Sequence, residues 1–116
     1  MKSILIPVDF SEYANSAINT GIFLAKKTGA ELLLLHVFSA PPDWYRIPVE
    51  KQQEYPENEA RMVEAEIKMD KVIKDKIFKG VKATGVVRPG NVLEEVLAMA
   101  KLYKCDLIIM GAHGAG

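Results

Sequence analysis

The sequence predicts an α/β fold, a doubly wound parallel sheet with right-handed crossovers, and three observations carry that prediction. Short, nearly unbroken apolar runs recur at residues 3–8, 32–37 and 107–110, as strands covered on both faces do. Longer stretches with helical spacing of apolar residues separate them. The order is strand, helix, strand, loop, helix, strand, helix, strand, the alternation that βαβ units produce.

Each element follows from its residues. The first run, Ser-Ile-Leu-Ile-Pro-Val, is too short for a helix and closes at Asp9. Ser11 is placed to cap a helix in which Ala14, Ala17, Ile18, Gly21, Ile22 and Ala25 share one face. Lys26 and Lys27 occupy its last turn, with Gly29 beyond them, the expected stop chemistry. The run at 32–37 is the second strand. Residues 39–56 hold Pro41, Pro42, Pro48 and Pro56 and predict a loop in which Trp44 and Tyr45 pack down on the domain or on a partner, the alternative being a lid over a ligand. Residues 57–79 predict a helix with Met62, Ala65, Met69, Val72 and Ile73 inward; Glu64–Lys68 and Asp70–Lys74 are i,i+4 pairs on its solvated face. Residues 81–87 alternate, as a strand at a sheet edge does. Asn91 with Glu94 resembles a capping box, opening a helix with Leu93, Val96, Leu97, Ala100 and Tyr103 on its apolar stripe. Residues 107–110 form a fourth strand, apolar at every position, which predicts cover on both faces and a further strand beside it.

Composition excludes several classes. A chain of 116 residues forms one domain, burying roughly 65% of its unfolded surface. Fifteen basic residues balance fifteen acidic ones, so the basic footprint of a nucleic-acid binder is missing. Cys105 is the only cysteine, which rules out an intrachain disulfide framework and fits a reducing compartment. It reads as a small buried hydrophobe. No apolar run approaches the ~20 residues of a membrane span, and the first nine residues lack a signal-peptide pattern. The cytoplasm is the expected compartment.

In an open parallel sheet, ligands bind beyond the carboxyl ends of the strands, where the strand order reverses. Asp9, the His36-Val37 pair and the glycine turn starting at Gly111 all fall at that edge and are expected side by side. Glycines at 111, 114 and 116 permit main-chain N–H groups to approach a phosphate. The same spacing also suits a strand-to-helix turn, and Asp9 alone also suits a carboxylate at a helix start. The turn is neither a Walker A loop nor the dinucleotide fingerprint. His113 has no second histidine at helical spacing, so no metal site is expected. A phosphoacceptor receiver domain is set aside, because Asp9 stands alone and Val87-Arg88-Pro89 follows the third strand.

Together these residues resemble the universal stress protein family over nearly the whole chain. Ile4-Leu5-Ile6-Pro7-Val8-Asp9-Phe10-Ser11 resembles its opening strand and turn, Leu34-Leu35-His36-Val37 its second strand, and Gly90-Asn91 its turn before the third helix. Asp106-Leu107-Ile108-Ile109-Met110-Gly111-Ala112-His113-Gly114 resembles its most diagnostic segment. The resemblance implies an adenine nucleotide alpha hydrolase-like sheet of order 3-2-1-4-(5), with the last helix and strand outside the 116 residues.

It further implies a stress-response regulator that binds ATP or a related adenine nucleotide, with or without magnesium, and signals through association state as a homodimer or with a tandem second domain. Adenine and ribose contacts carry over onto Pro7, Val8, Asp9, Val37 and Met110. Phosphate contacts carry over onto Gly111, Ala112, His113 and Gly114, extending to Ala115 and Gly116. Gly111 and Gly114 match the first half of the family's G-x-x-G, nine residues, G-[ST] motif; its second half falls beyond Gly116. Ala115 stands where ATP-binding members often carry a basic residue. With no general base, lysine clamp or metal-carboxylate pair at the turn, hydrolysis is expected to be slow at most. The alternative is an interaction module of the same fold that dimerises without nucleotide.

Overall fold

A computed structural model describes residues 1–40, 44 and 46–111. Its elements are β1 (Ser3–Pro7), α1 (Glu12–Thr28), β2 (Glu31–Phe38), α2 (Val49–Gln52), α3 (Pro56–Ile73), a 3₁₀ turn (Lys76–Phe78), β3 (Ala83–Pro89), α4 (Val92–Leu102) and β4 (Leu107–Ile108). All pairings are parallel, and the four strands lie in the order β3-β2-β1-β4.

Side chains that alternate along the strands build two cores. Ile4, Ile6, Leu32 and Leu34 face α1 and α3, meeting Ala17, Ile18, Ile22 and Met69. Leu5, Leu33 and Leu35 face the other way, against Val96 and Met99 of α4. A sheet covered on both faces is why the runs at 3–8 and 32–37 carry no polar alternation. β3 lies at the sheet edge, as its alternation predicts. The six predicted inward residues of α1 are its buried ones, and Gly29 ends the helix at φ +77°, a left-handed stop that favours glycine.

Several local expectations are corrected. The helix predicted over 57–79 begins at Pro56, whose missing N–H costs nothing in a first turn. It ends at Ile73 because the Asp75 carboxylate accepts the Ile77 N–H at 2.9 Å and caps a separate 3₁₀ turn. The 39–56 segment contains a short helical turn, α2, started by Pro48. Trp44 is buried and meets Phe38 edge-on at 6.4 Å; Tyr45, Pro41 and Pro42 lie outside the described residues.

Ser11 sits at the N-cap of α1, but its hydroxyl turns back to Asp9 and leaves the helix N–H groups uncapped by it. On α4 the contact line runs through Val96, Met99 and Ala100, while Leu93, Leu97 and Tyr103 are exposed. Asn91 does cap that helix, its Oδ1 accepting the Glu94 N–H at 3.1 Å. β4 is only half-buried, because it is the outermost strand on its side of the sheet. Among the described residues nothing pairs on its outer flank. Cys105 is likewise half-buried, with its Sγ 3.4 Å from the Ser3 hydroxyl.

Asp106 fastens β4 to the start of β1. Its Oδ2 accepts the N–H groups of Lys2 at 2.6 Å and Ser3 at 2.9 Å, and these bonds hold its carboxyl below the ordinary value. A lowered folded-state pKa contributes stability above the unfolded value and loses it as pH falls through the folded one. Urea denaturation across an acid series should therefore show wild-type stability falling as Asp106 protonates. Asp106→Asn should lack that part of the slope, and an identical pH dependence in the two proteins would contradict the assignment.

Candidate functional site

The carboxyl ends of the strands surround a cleft of about 260 Å³. β1 and its following turn supply Pro7, Val8 and Asp9; α1 supplies Tyr13 and Ala14 from its first turn. β2 contributes Leu35, His36 and Val37, α4 contributes Val92, and the chain after β4 contributes Met110 and Gly111. Six residues singled out from sequence therefore share one cavity: Pro7, Val8, Asp9, Val37, Met110 and Gly111. Ala112, His113, Gly114, Ala115 and Gly116 lie outside the described residues.

The cleft exists because β2 outruns β1. The β1–β2 register ends at Pro7 opposite Leu35, whereas β2 continues against β3 through Val37 opposite Arg88 and Phe38 opposite Pro89. Main-chain groups of successive residues in a central strand face alternate neighbours. In β2 the Leu32 N–H bonds Lys82 and the Phe38 carbonyl accepts from Gly90, both on the β3 side. The Glu31 N–H bonds Lys2 and the Leu35 carbonyl accepts from Val8, both on the β1 side. Val37 is in phase with Leu35, so its N–H and carbonyl face the side where β1 has already stopped. The end of β2 thus presents a donor and an acceptor next to the cleft.

Asp9 is exposed at the mouth, ahead of α1. Its Oδ1 accepts the Ser11 N–H at 2.9 Å and also the Ser11 hydroxyl. These bonds fix the carboxylate at the positive end of the helix dipole. On the floor, Val8 is buried, and its carbonyl oxygen lies 2.7 Å from His36 Nδ1. Gly111 closes the opposite wall against the first turn of α1. A methyl group there would stand 2.5 Å from the Tyr13 carbonyl oxygen and 3.4 Å from Ala14 Cα. The fit is to backbone, which cannot rotate away.

Tyr13, Ala14, Leu35 and Val92 are lining residues that the sequence reading did not place in the site, and His36 it placed at this edge beside Val37 without giving it a ligand contact. Tyr13 and Val92 had a usable signal: each lies in the first turn of a helix following a strand, which must border the crevice of a doubly wound sheet. Leu35 and His36 adjoin Val37 on the same strand end. Among the described residues no cluster of three or more His, Cys, Asp or Glu side chains is grouped to hold a metal ion. No helix among them is long and apolar enough to cross a membrane.

A model of the universal stress protein family matches residues 1–116. Universal stress protein MJ0577 of Methanocaldococcus jannaschii is 31% identical over 125 residues, covering 97% of this chain and 77% of that protein. MJ0531 of the same organism is 31% identical over 113 residues, and there the match spans 65% of the relative's length. The solved structure of MJ0577 superposes with a TM-score of 0.75 at 32% identity, covering 97% of this chain and 76% of that one. A universal stress protein solved in complex with cAMP shares the fold at 16% identity and a TM-score of 0.52, covering 93% of this chain and 74% of that one.

The Gly111 wall has a direct test. Gly111→Ala should destabilise the protein by about 1–3 kcal/mol, the usual cost of overpacking against a rigid neighbour. Chemical denaturation at constant m-value reads it; an unchanged midpoint would mean that α1 and the turn are not in contact.

Proposed function

Because the chain belongs to the universal stress protein family, we propose that it is a stress-response regulator that binds ATP or a related adenine nucleotide in this cleft and signals through its association state. The observation that carries this reading is the open main-chain edge of Val37 beside apolar walls, Asp9 and the Gly111 turn. Adenine places a hydrogen-bond donor next to an acceptor on its edge, the complement of one N–H and one carbonyl on a single residue. Val8, Val37 and Met110 supply apolar contact to the base. Asp9 accepts from ribose hydroxyls and takes no part as a catalytic base. Phosphates extend past Gly111 along the glycine turn through Gly114, where main-chain N–H groups hold them. A universal stress protein of the same fold binds cAMP, itself an adenine nucleotide.

The role is binding and regulation, with hydrolysis slow at most. Phosphoryl transfer needs positioned charges around the transferring group, and the sequence at 111–116 contains no lysine or arginine.

One observation favours a second reading, an interaction module that associates without nucleotide. Val92, Leu93, Leu97 and Leu102 of α4 are each at least half exposed, more apolar surface than one solvated helix face ordinarily carries.

Calorimetric titration of the full-length protein with ATP separates the two. Saturable binding is expected, weakened at least tenfold, or ~1.4 kcal/mol, in a folded Gly114→Val protein, whose β-branched side chain obstructs the phosphate path. Asp9→Asn, which keeps an acceptor for Ser11 but loses the charge, should weaken ATP by a similar factor, since hydrogen bonds to charged groups contribute ~1.5–3 kcal/mol. No binding heat, with association that ignores ATP, would select the interaction module.

A further inference from the structure

We propose that His36 is a positioning residue that terminates the β1–β2 ladder and keeps the Val37 N–H unpaired for the ligand; this rests on the cleft being the adenine site. The Val8 N–H bonds the Leu35 carbonyl at 2.8 Å. In a parallel ladder the next rung runs from the Val37 N–H to the Val8 carbonyl. Among the described residues that rung is not formed. The Val8 carbonyl instead lies 2.7 Å from His36 Nδ1. A carbonyl oxygen only accepts, so Nδ1 carries the proton and donates. The side chain of residue 36 thus takes the acceptor that the main chain of residue 37 would otherwise use.

Phe10 holds the imidazole in place. The two rings lie 4.4 Å apart between centroids at 32°, and the Lys68 ammonium is 5.8 Å from the Phe10 centroid. Phe10 adopts φ +64°, a left-handed conformation costly for a bulky aromatic residue and one that persists only where its surroundings enforce it. The β1–α1 turn therefore carries strain at the point where it orients the histidine, beside the cleft that His36 itself lines.

Amide hydrogen exchange followed by NMR, with ATP calorimetry alongside, tests the idea. In nucleotide-free wild type the Val37 amide should exchange at least tenfold faster than the Leu35 amide, which lies inside the ladder; an equally protected Val37 overturns the proposal without any variant. His36→Phe keeps a ring to stack on Phe10 but has no donor. It should protect Val37 at least tenfold and weaken ATP at least tenfold without lowering the melting temperature. His36→Gln, with an amide donor, should restore part of both. Unchanged Val37 exchange in a folded His36→Phe protein also overturns the proposal. If Val37 exchange behaves as expected but wild type binds no ATP, the ladder role stands and the adenine reading fails.

Discussion

The structure depends on β1 being short and fully enclosed. Ile4, Leu5 and Ile6 are completely buried, sandwiched between the α1/α3 layer and α4. Each such side chain contributes ~1.5–3 kcal/mol relative to exposure, against a net stability of only ~5–15 kcal/mol for a typical domain. β1 is also the strand on which both neighbouring ladders are registered, Leu5 standing opposite Leu33 on one side and Ile108 on the other. Displacing it by one residue would turn every side chain to the wrong core.

The same strand makes the cleft by stopping early. β2 runs three residues past its last partner in β1, and the chain turns at Asp9, Phe10 and Ser11 into α1. That turn must be tight, because α1 has to pack back over the strand it follows, and the positive φ of Phe10 is what the reversal demands. The first turn of α1 then meets the chain leaving β4 at Gly111, where only a residue without a Cβ fits beneath the Tyr13 carbonyl. Site and core are thus consequences of one geometry: a buried central strand, a sharp exit from it, and neighbours that continue beyond its end.

Local chemistry made much of this legible. The inward face of α1, its Gly29 stop, the Asn91 cap and the edge position of β3 follow from periodicity and capping preferences that operate over a few residues. Six of the residues that the family resemblance named for the site converge in one cavity, since strand ends in a parallel sheet share one edge. The failures are equally instructive. Helix α3 stops at Ile73 although the apolar and charged pattern continues, because the Asp75 side chain competes for a backbone N–H. On α4 the buried line runs through Val96 and Met99, which meet Leu33 and Leu35, a choice of contact face that periodicity does not encode.

By itself the sequence determined the strand and helix types from patterns readable within a window of a dozen residues, their parallel alternation from the order of those elements, and the central place of β1 through the family resemblance. Only the tertiary structure decided what the cleft presents. Whether the Val37 main chain is free depends on where β1 ends relative to β2, and on which group reaches the Val8 carbonyl first. Those are relations between residues 28 and more positions apart. His36, an ordinary polar residue at a strand end when read in sequence, acquires its role from a contact with Val8 across the sheet and with Phe10 in the turn. Periodicity reports which way a side chain faces; the vacancy of a hydrogen bond is a property of two strands of unequal length.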